Sequence, residues 1–156
     1  FLGKYEHPDG GKLTFAPSMP GHVEHRQLTN NSLNLMAGCF LACTPGVNIK
    51  AKFGGFKALF SGEGAFLLEA SGNGDLFFNS FGGVVEKQIN GEFIVDTGHV
   101  VAFDPSSDYK ITGMGNFKST MLSGEGLVMR FSGNGKLYLQ TRNISGIASW
   151  LTPRLL

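Results

Sequence analysis

Apolar positions along this chain form short runs, rich in Phe, Val and Ile and cut off by glycine, asparagine or proline. β-Branched and aromatic residues suit a pleated, half-buried surface, so these runs read as strands. His22 to Leu28 and Leu33 to Cys43 are predicted strands, with Asn30-Asn31-Ser32 as the turn between them. The segment Gly38-Cys39-Phe40-Leu41-Ala42-Cys43-Thr44-Pro45 has a counterpart 60 residues on, Gly98-His99-Val100-Val101-Ala102-Phe103-Asp104-Pro105. Both stop at a proline, which has no N–H to give a central ladder. Ile49-Lys50 and Tyr109-Lys110 continue the match. Ala16 to Gly21, holding Pro17 and Pro20, is a break between elements. Helical spacing shows only over 144–156, where Ile147, Trp150 and Leu151 recur at three and four residues before Pro153 interrupts.

A longer pattern overlies the strands. Residues 56–81 and 117–143 each open on Phe-Lys, then carry Ser-Gly-Glu-Gly, an apolar run, Ser-Gly-Asn-Gly and a second apolar run. The Phe-Lys pairs and the SGNG tetrads are 61 apart and the SGEG tetrads 62, a one-residue slip of the kind a bulge absorbs. A period near 60 marks an internal duplication. Asn73-Gly74 and Asn134-Gly135 predict hairpin turns, since both residues tolerate positive φ. Gly11-Lys12-Leu13-Thr14-Phe15 lines up with Gly74 to Phe78 and with Gly135 to Leu139, so residues 1–33 are expected to end a truncated first repeat. Residues 34–93 then form the second repeat, and 94–156 the third with its tail, packed as one compact unit. The fold class expected is all-β, built of repeated β-sandwich modules with a short C-terminal helix.

Composition narrows the function classes. A net charge of +1 gives no bulk attraction to nucleic acid or an anionic membrane. Only 16% of residues are charged, which suits a surface partly hidden in an oligomer. Cys39 and Cys43 lie four apart; on one strand they sit roughly 13 Å from each other, too far for a disulfide or a shared zinc. They read as buried thiols of a reducing, cytoplasmic setting. The longest apolar run falls short of a membrane span, so no membrane insertion is expected. The chain opens on Phe1, not Met, which implies a removed N-terminal portion and leaves room for a lost targeting segment.

Candidate chemistry is sparse. Gly62-Glu63-Gly64 and Gly113-Met114-Gly115 lack the third glycine and the helix of a dinucleotide fingerprint. No Walker A loop, nucleophile elbow or grouped triad is present, so no catalytic residue, cofactor or metal is assigned. His22-Val23-Glu24-His25 would face opposite sides of a strand rather than share a metal. Glu63 and Glu125 occupy equivalent settings between glycines, whereas an acid/base pair needs unlike ones; they read as turn braces between modules. Lys50 and Lys52 share a strand face near Lys57, Phe53 and Phe56, a weak single-strand nucleic-acid signature that reads first as a solvated edge. His99 stands where the earlier copy has Cys39, inside or at a seam. With Lys118 and Arg142 these complete the candidate binding or seam residues.

Several motifs together carry a resemblance over nearly the whole chain. The SGEG and SGNG tetrads, Phe15 to Gly21, Val95-Asp96-Thr97-Gly98-His99, Phe117-Lys118 and Leu139-Gln140-Thr141-Arg142-Asn143 resemble the AIM24 / DUF124 family, and Ile147 to Leu151 resembles its C-terminal helix. The resemblance implies a fold like the tryptophan RNA-binding attenuation protein (TRAP-like, with double-stranded β-helix-like modules) and a ring of three chains. The function expected is that of a non-enzymatic homo-oligomeric scaffold or binding platform, with RNA or single-strand nucleic-acid binding, or a small ligand or metal at a seam between repeats, as alternatives. A mitochondrial branch of the family is tied to inner-membrane organisation. No functional residue of the family is carried over.

Overall fold

The computed structural model of the chain describes residues 2–53, 66–113 and 127–155. Among these residues nine strands follow in order: β1 (Val23–Met36), β2 (Phe40–Cys43), β3 (Val47–Phe53), β4 (Phe66–Asn79), β5 (Val84–Asn90), β6 (Phe93–Asp96), β7 (Val100–Phe103), β8 (Ser107–Gly113) and β9 (Leu127–Gln140). A helix, α1 (Ile144–Leu151), and a 3-10 turn over Thr152–Arg154 close the chain. All pairings among the strands are antiparallel, and they join the nine into one open sheet. The all-β class and the short C-terminal helix are as the sequence predicts.

Two 14-residue strands organise the sheet. β4 pairs with β1 along one edge and with β2 and β3 along the other. β9 pairs with β5 and β6 along one edge and with β7 and β8 along the other. Even the irregularities correspond: a register shift at Leu41 in β2 and another at Val101 in β7. The halves join where β1 meets β7, through Asn34↔Phe103 and Leu35↔Ala102.

Three local expectations give way. Asn30-Asn31-Ser32 is no turn, because β1 runs straight through it. Asn30, at φ 55°, is an extra residue bulged out of the ladder, and the Asn31 Oδ1 accepts from the Thr29 N–H. One residue removed from the ladder reverses the inside–outside alternation. Leu28 therefore ends up on the same face as Leu33 and Leu35, and all three are fully buried. The run Leu33 to Cys43, in turn, is not one strand; a 3-10 turn over Ala37–Cys39 divides it.

The SGNG tetrads are the third correction. They lie inside β4 and β9 rather than at hairpin turns. At Ser71–Gly74 the strand passes from β3 to β2, and the turn Thr44-Pro45-Gly46 between those two packs onto it. Gly72 has φ 122°, and a Cβ on it would stand 2.4 Å from the Gly46 carbonyl oxygen. Gly72 thus serves close approach of two backbones, the other use of glycine in a strand. The SGEG tetrads, their slip and both Phe-Lys pairs lie outside the described residues.

The core is split by the sheet. Even-numbered residues of β4 (Ala70, Leu76, Phe78) pack with Leu28, Leu33, Leu35, Val101, Ala102 and Tyr138. Odd-numbered residues of β9 (Met129, Phe131, Leu137) pack with Leu67, Ile89, Val100 and Phe103 on the opposite face. Cross-strand partners share a face, so Leu35↔Ala102 belongs to the first cluster and Asn34↔Phe103 looks toward the second. Residues 2–20 hold no strand, and the aligned segment Gly11 to Phe15 is unpaired and exposed among the described residues.

Val47 begins β3 and Ser107 begins β8, opposite the equivalent glycines Gly72 and Gly133. The Ser107 hydroxyl is buried without a hydrogen-bond partner. An orphaned hydroxyl costs the full desolvation of the group, so Ser107→Val should raise unfolding stability by about 1 kcal/mol, read from the urea midpoint. An unchanged or lower midpoint contradicts this.

Candidate functional site

Two polar clusters interrupt the apolar strands. The first lies where the 3-10 turn Thr97–His99, the end of β9 and the loop 80–83 meet. Asp96 caps the turn, accepting from the Gly98 N–H at 2.7 Å. Gln140 is held at both ends of its amide: Oε1 accepts from the Phe81 N–H at 2.8 Å, and Nε2 donates to the Gly98 carbonyl at 2.7 Å. His99 Nδ1 lies 2.7 Å from the Gln140 carbonyl, which only accepts, so Nδ1 bears the proton. The bare Nε2 then accepts from Asn143 Nδ2 at 2.8 Å. Asn143 Oδ1 in turn caps α1 through the Gly146 N–H at 2.6 Å. Every named polar atom here is spent on another part of the chain. The arrangement fastens strand ends together.

The second cluster joins the two halves. Arg26 of β1 reaches across to Asp104 after β7, at 3.0 Å, and to the Tyr138 hydroxyl on β9, at 3.2 Å. The other Asp104 oxygen accepts from the Lys136 N–H at 3.0 Å. Burial raises the Tyr138 phenol, against the lowering effect of Arg26 and Lys136. The Lys136 ammonium is raised, chiefly by its hydrogen bond to Glu86. This is an ion-paired brace between strands whose charges are partly buried.

Among the described residues, those singled out from the sequence do not converge. Lys57, Glu63, Lys118 and Glu125 lie outside the described residues. Lys50 and Lys52 do share a face of β3, and Lys52 is committed to Glu69 and to Asn34 Oδ1. Arg142 is exposed, its stem against Gly82, beside the His99 cluster. His22 pairs with Glu24, while His25 pairs with Asp75 at 2.8 Å and stacks on Phe77. Among the described residues no group of three or more His, Cys, Asp or Glu is placed to hold a metal. Cys39 and Cys43 are both free thiols. Sequence reasoning missed Gln140, Asn143, Arg26 and Asp104. Gln140 and Asn143 sit within the Leu139-to-Asn143 motif, and only the strand register reveals what they hold.

The fold and its clusters define a β-protein whose named strands pair antiparallel among the described residues and whose polar side chains brace strand junctions. The chain belongs to the AIM24 family: the family profile, described as mitochondrial biogenesis AIM24, matches residues 1–142. It is similar to an uncharacterized protein of Streptococcus pyogenes serotype M6, 34% identical over 144 residues, covering 90% of this chain and 58% of the relative. It is also similar to a structural-genomics crystal structure from Streptococcus pyogenes, at 32% identity and a TM-score of 0.79, covering 90% of this chain and 63% of that one. The chain thus spans about three-fifths of the relatives it matches. Among the described residues no helix is long and apolar enough to cross a membrane.

Proposed function

We propose that the chain is a non-enzymatic, modular β-protein that assembles with copies of itself, edge to edge, into a closed ring serving as a scaffold or binding platform. The carrying observation is the β1–β7 junction and its unpaired equivalents. Asn34 and Leu35 pair there with Phe103 and Ala102. Sixty residues on from the first pair stand Ile94 and Val95 of β6; sixty back from the second stand Cys43 and Ala42 of β2. Among the described residues, β6 pairs only with β9 and β2 only with β4, so each has one open edge. A second copy offering β2 to β6 repeats a joint the chain already makes within itself. Such a head-to-tail joint closes into a ring when its rotation divides a full turn, and three TRAP-like copies are the ring the family resemblance favours. Open edges left unpaired invite irregular association, which closure removes.

The two free thiols suit a reducing compartment. The brace-like use of the His99 and Arg26 clusters supports assembly over catalysis. RNA binding through β3 has less support, because the Lys52 ammonium is already paired with Glu69.

Light scattering at physiological salt tests the reading. The expected mass is a multiple of 16.7 kDa, and Ile94→Lys, placing a charge on the β6 edge, should return the chain to monomer. A monomeric parent protein, or an assembly indifferent to Ile94→Lys, overturns it.

A further inference from the structure

Helix α1 stands apart from the two cores. It has eight residues, none of them buried, and Ile144, Ile147, Trp150 and Leu151 are all exposed. Isolated helices this short are marginal in water, because nucleation is costly and little packing offsets it. What fastens α1 to the sheet is its N-cap: Asn143 takes the Gly146 N–H on its oxygen and gives its amide N–H to His99 Nε2. That second bond exists only while Nε2 carries a lone pair, and the Gln140 carbonyl on Nδ1 fixes that tautomer.

We propose that His99 is a proton-operated latch on the C-terminal helix. When Nε2 takes a proton, it and Asn143 Nδ2 become two donors facing each other across 2.8 Å. Asn143 relieves the conflict by turning its amide over, which offers Oδ1 to the imidazolium in a charge-assisted bond. The same turn points Nδ2 at the Gly146 N–H, and the cap is lost. The Oδ1 cannot serve both places, so imidazole protonation and helix capping exclude each other. The charged side chains nearest along the chain are Asp96 on the same turn, already engaged by the Gly98 N–H, and Arg142 next to Asn143. The loop 80–83 carries no charged side chain, β7 opens with Val100-Val101, and α1 is uncharged. Among the described residues, the Gly21↔Gly82 bridge leads to the titratable pair His22 with Glu24, and the neighbouring β5 and β9 carry the pair Glu86 with Lys136. The helix is therefore capped while Nε2 keeps its lone pair and released when Nε2 takes a proton. Release changes how Ile147, Trp150 and Leu151 are displayed.

The test is NMR on the whole chain from pH 8 to pH 5, following the His99 ring nitrogens, the α1 carbon shifts and the intrinsic-rate-corrected exchange of the Gly146 amide. As the ring protonates, protection of Gly146 should fall about fivefold, the worth of one N-cap, and helical shifts over 144–151 should shrink with it. Asn143→Asp keeps an acceptor for the cap in either state and gives the imidazolium a counter-ion; its helix should hold through the same range. His99→Gln, which cannot titrate there, should show no step. A ring that protonates while Gly146 protection stays level overturns the latch, as does the same loss of protection in His99→Gln or Asn143→Asp. The dispersion of β4 and β9 amides verifies that each variant is folded.

Discussion

Gly46→Ala should destabilise the protein by about 3 kcal/mol, at the upper end for an overpacked site. A Cβ at position 46 would stand 1.8 Å from the Asn73 carbonyl oxygen, and both groups are backbone. Neither can swing away as a side chain would. The Asn73 N–H also donates to the Gly46 carbonyl at 3.0 Å, so retreat of the turn breaks a ladder contact. The second half supplies the control, because Ser106 occupies the equivalent place. There the turn stands further off: a Cβ on Gly133 would meet the Ser106 carbonyl at 3.4 Å, against 2.4 Å at Gly72. The Ser106 hydroxyl bonds the Asn134 carbonyl at 2.9 Å instead. Ser106→Gly should therefore cost about 1 kcal/mol, the worth of one hydrogen bond, when both variants are unfolded in urea. Equal losses at the two sites contradict the difference in approach.

The alkaline limb of the stability curve should be steep, and Cys39 should account for much of it. Its thiol is buried in the first cluster and is pushed by that burial from 9.0 up to about 12. Between those values the folded chain keeps a proton that the unfolded chain releases. Stability is then unaffected below pH 9, falls as pH rises through the window, and has lost the whole contribution above pH 12. Three pH units correspond to about 4 kcal/mol at full extent. Burial of Tyr138 acts in the same direction. Urea midpoints measured from pH 8 to pH 11 should fall, and Cys39→Ala should flatten the slope while lowering the plateau. Parallel slopes in the two proteins reject Cys39 as the cause. Cys43, only half-buried, should contribute less.

The two halves show why some of the fold is legible in sequence and some is not. Apolar runs ending at Pro45 and Pro105 gave the ends of β2 and β7 to within a few residues, because proline forbids a central ladder whatever surrounds it. Ile147, Trp150 and Leu151 gave the helix by spacing alone. Asn30 and the SGNG tetrads misled for one shared reason. Asparagine and glycine tolerate positive φ, and a chain uses that freedom equally for a turn, a bulge or a backbone crossing. Only the partner strand decides among the three. For the candidate site the limit is deeper: His99 and Asn143 are 44 apart, and neither belongs to a motif whose spacing implies the other.

The register of the long strands carries a consequence for synthesis. Val23, the first residue of β1, pairs with Asn79, the last of β4, and Val84 pairs with Gln140 in the same way. A chain leaving the ribosome cannot zip up its first half until Asn79 has emerged, so β1 waits with its leucines uncovered for most of that time. Once β4 arrives, the first half can close before the second has been made. Arg26 then sits ready, without Asp104 or Tyr138, until the last strand is delivered and the two halves are tied together.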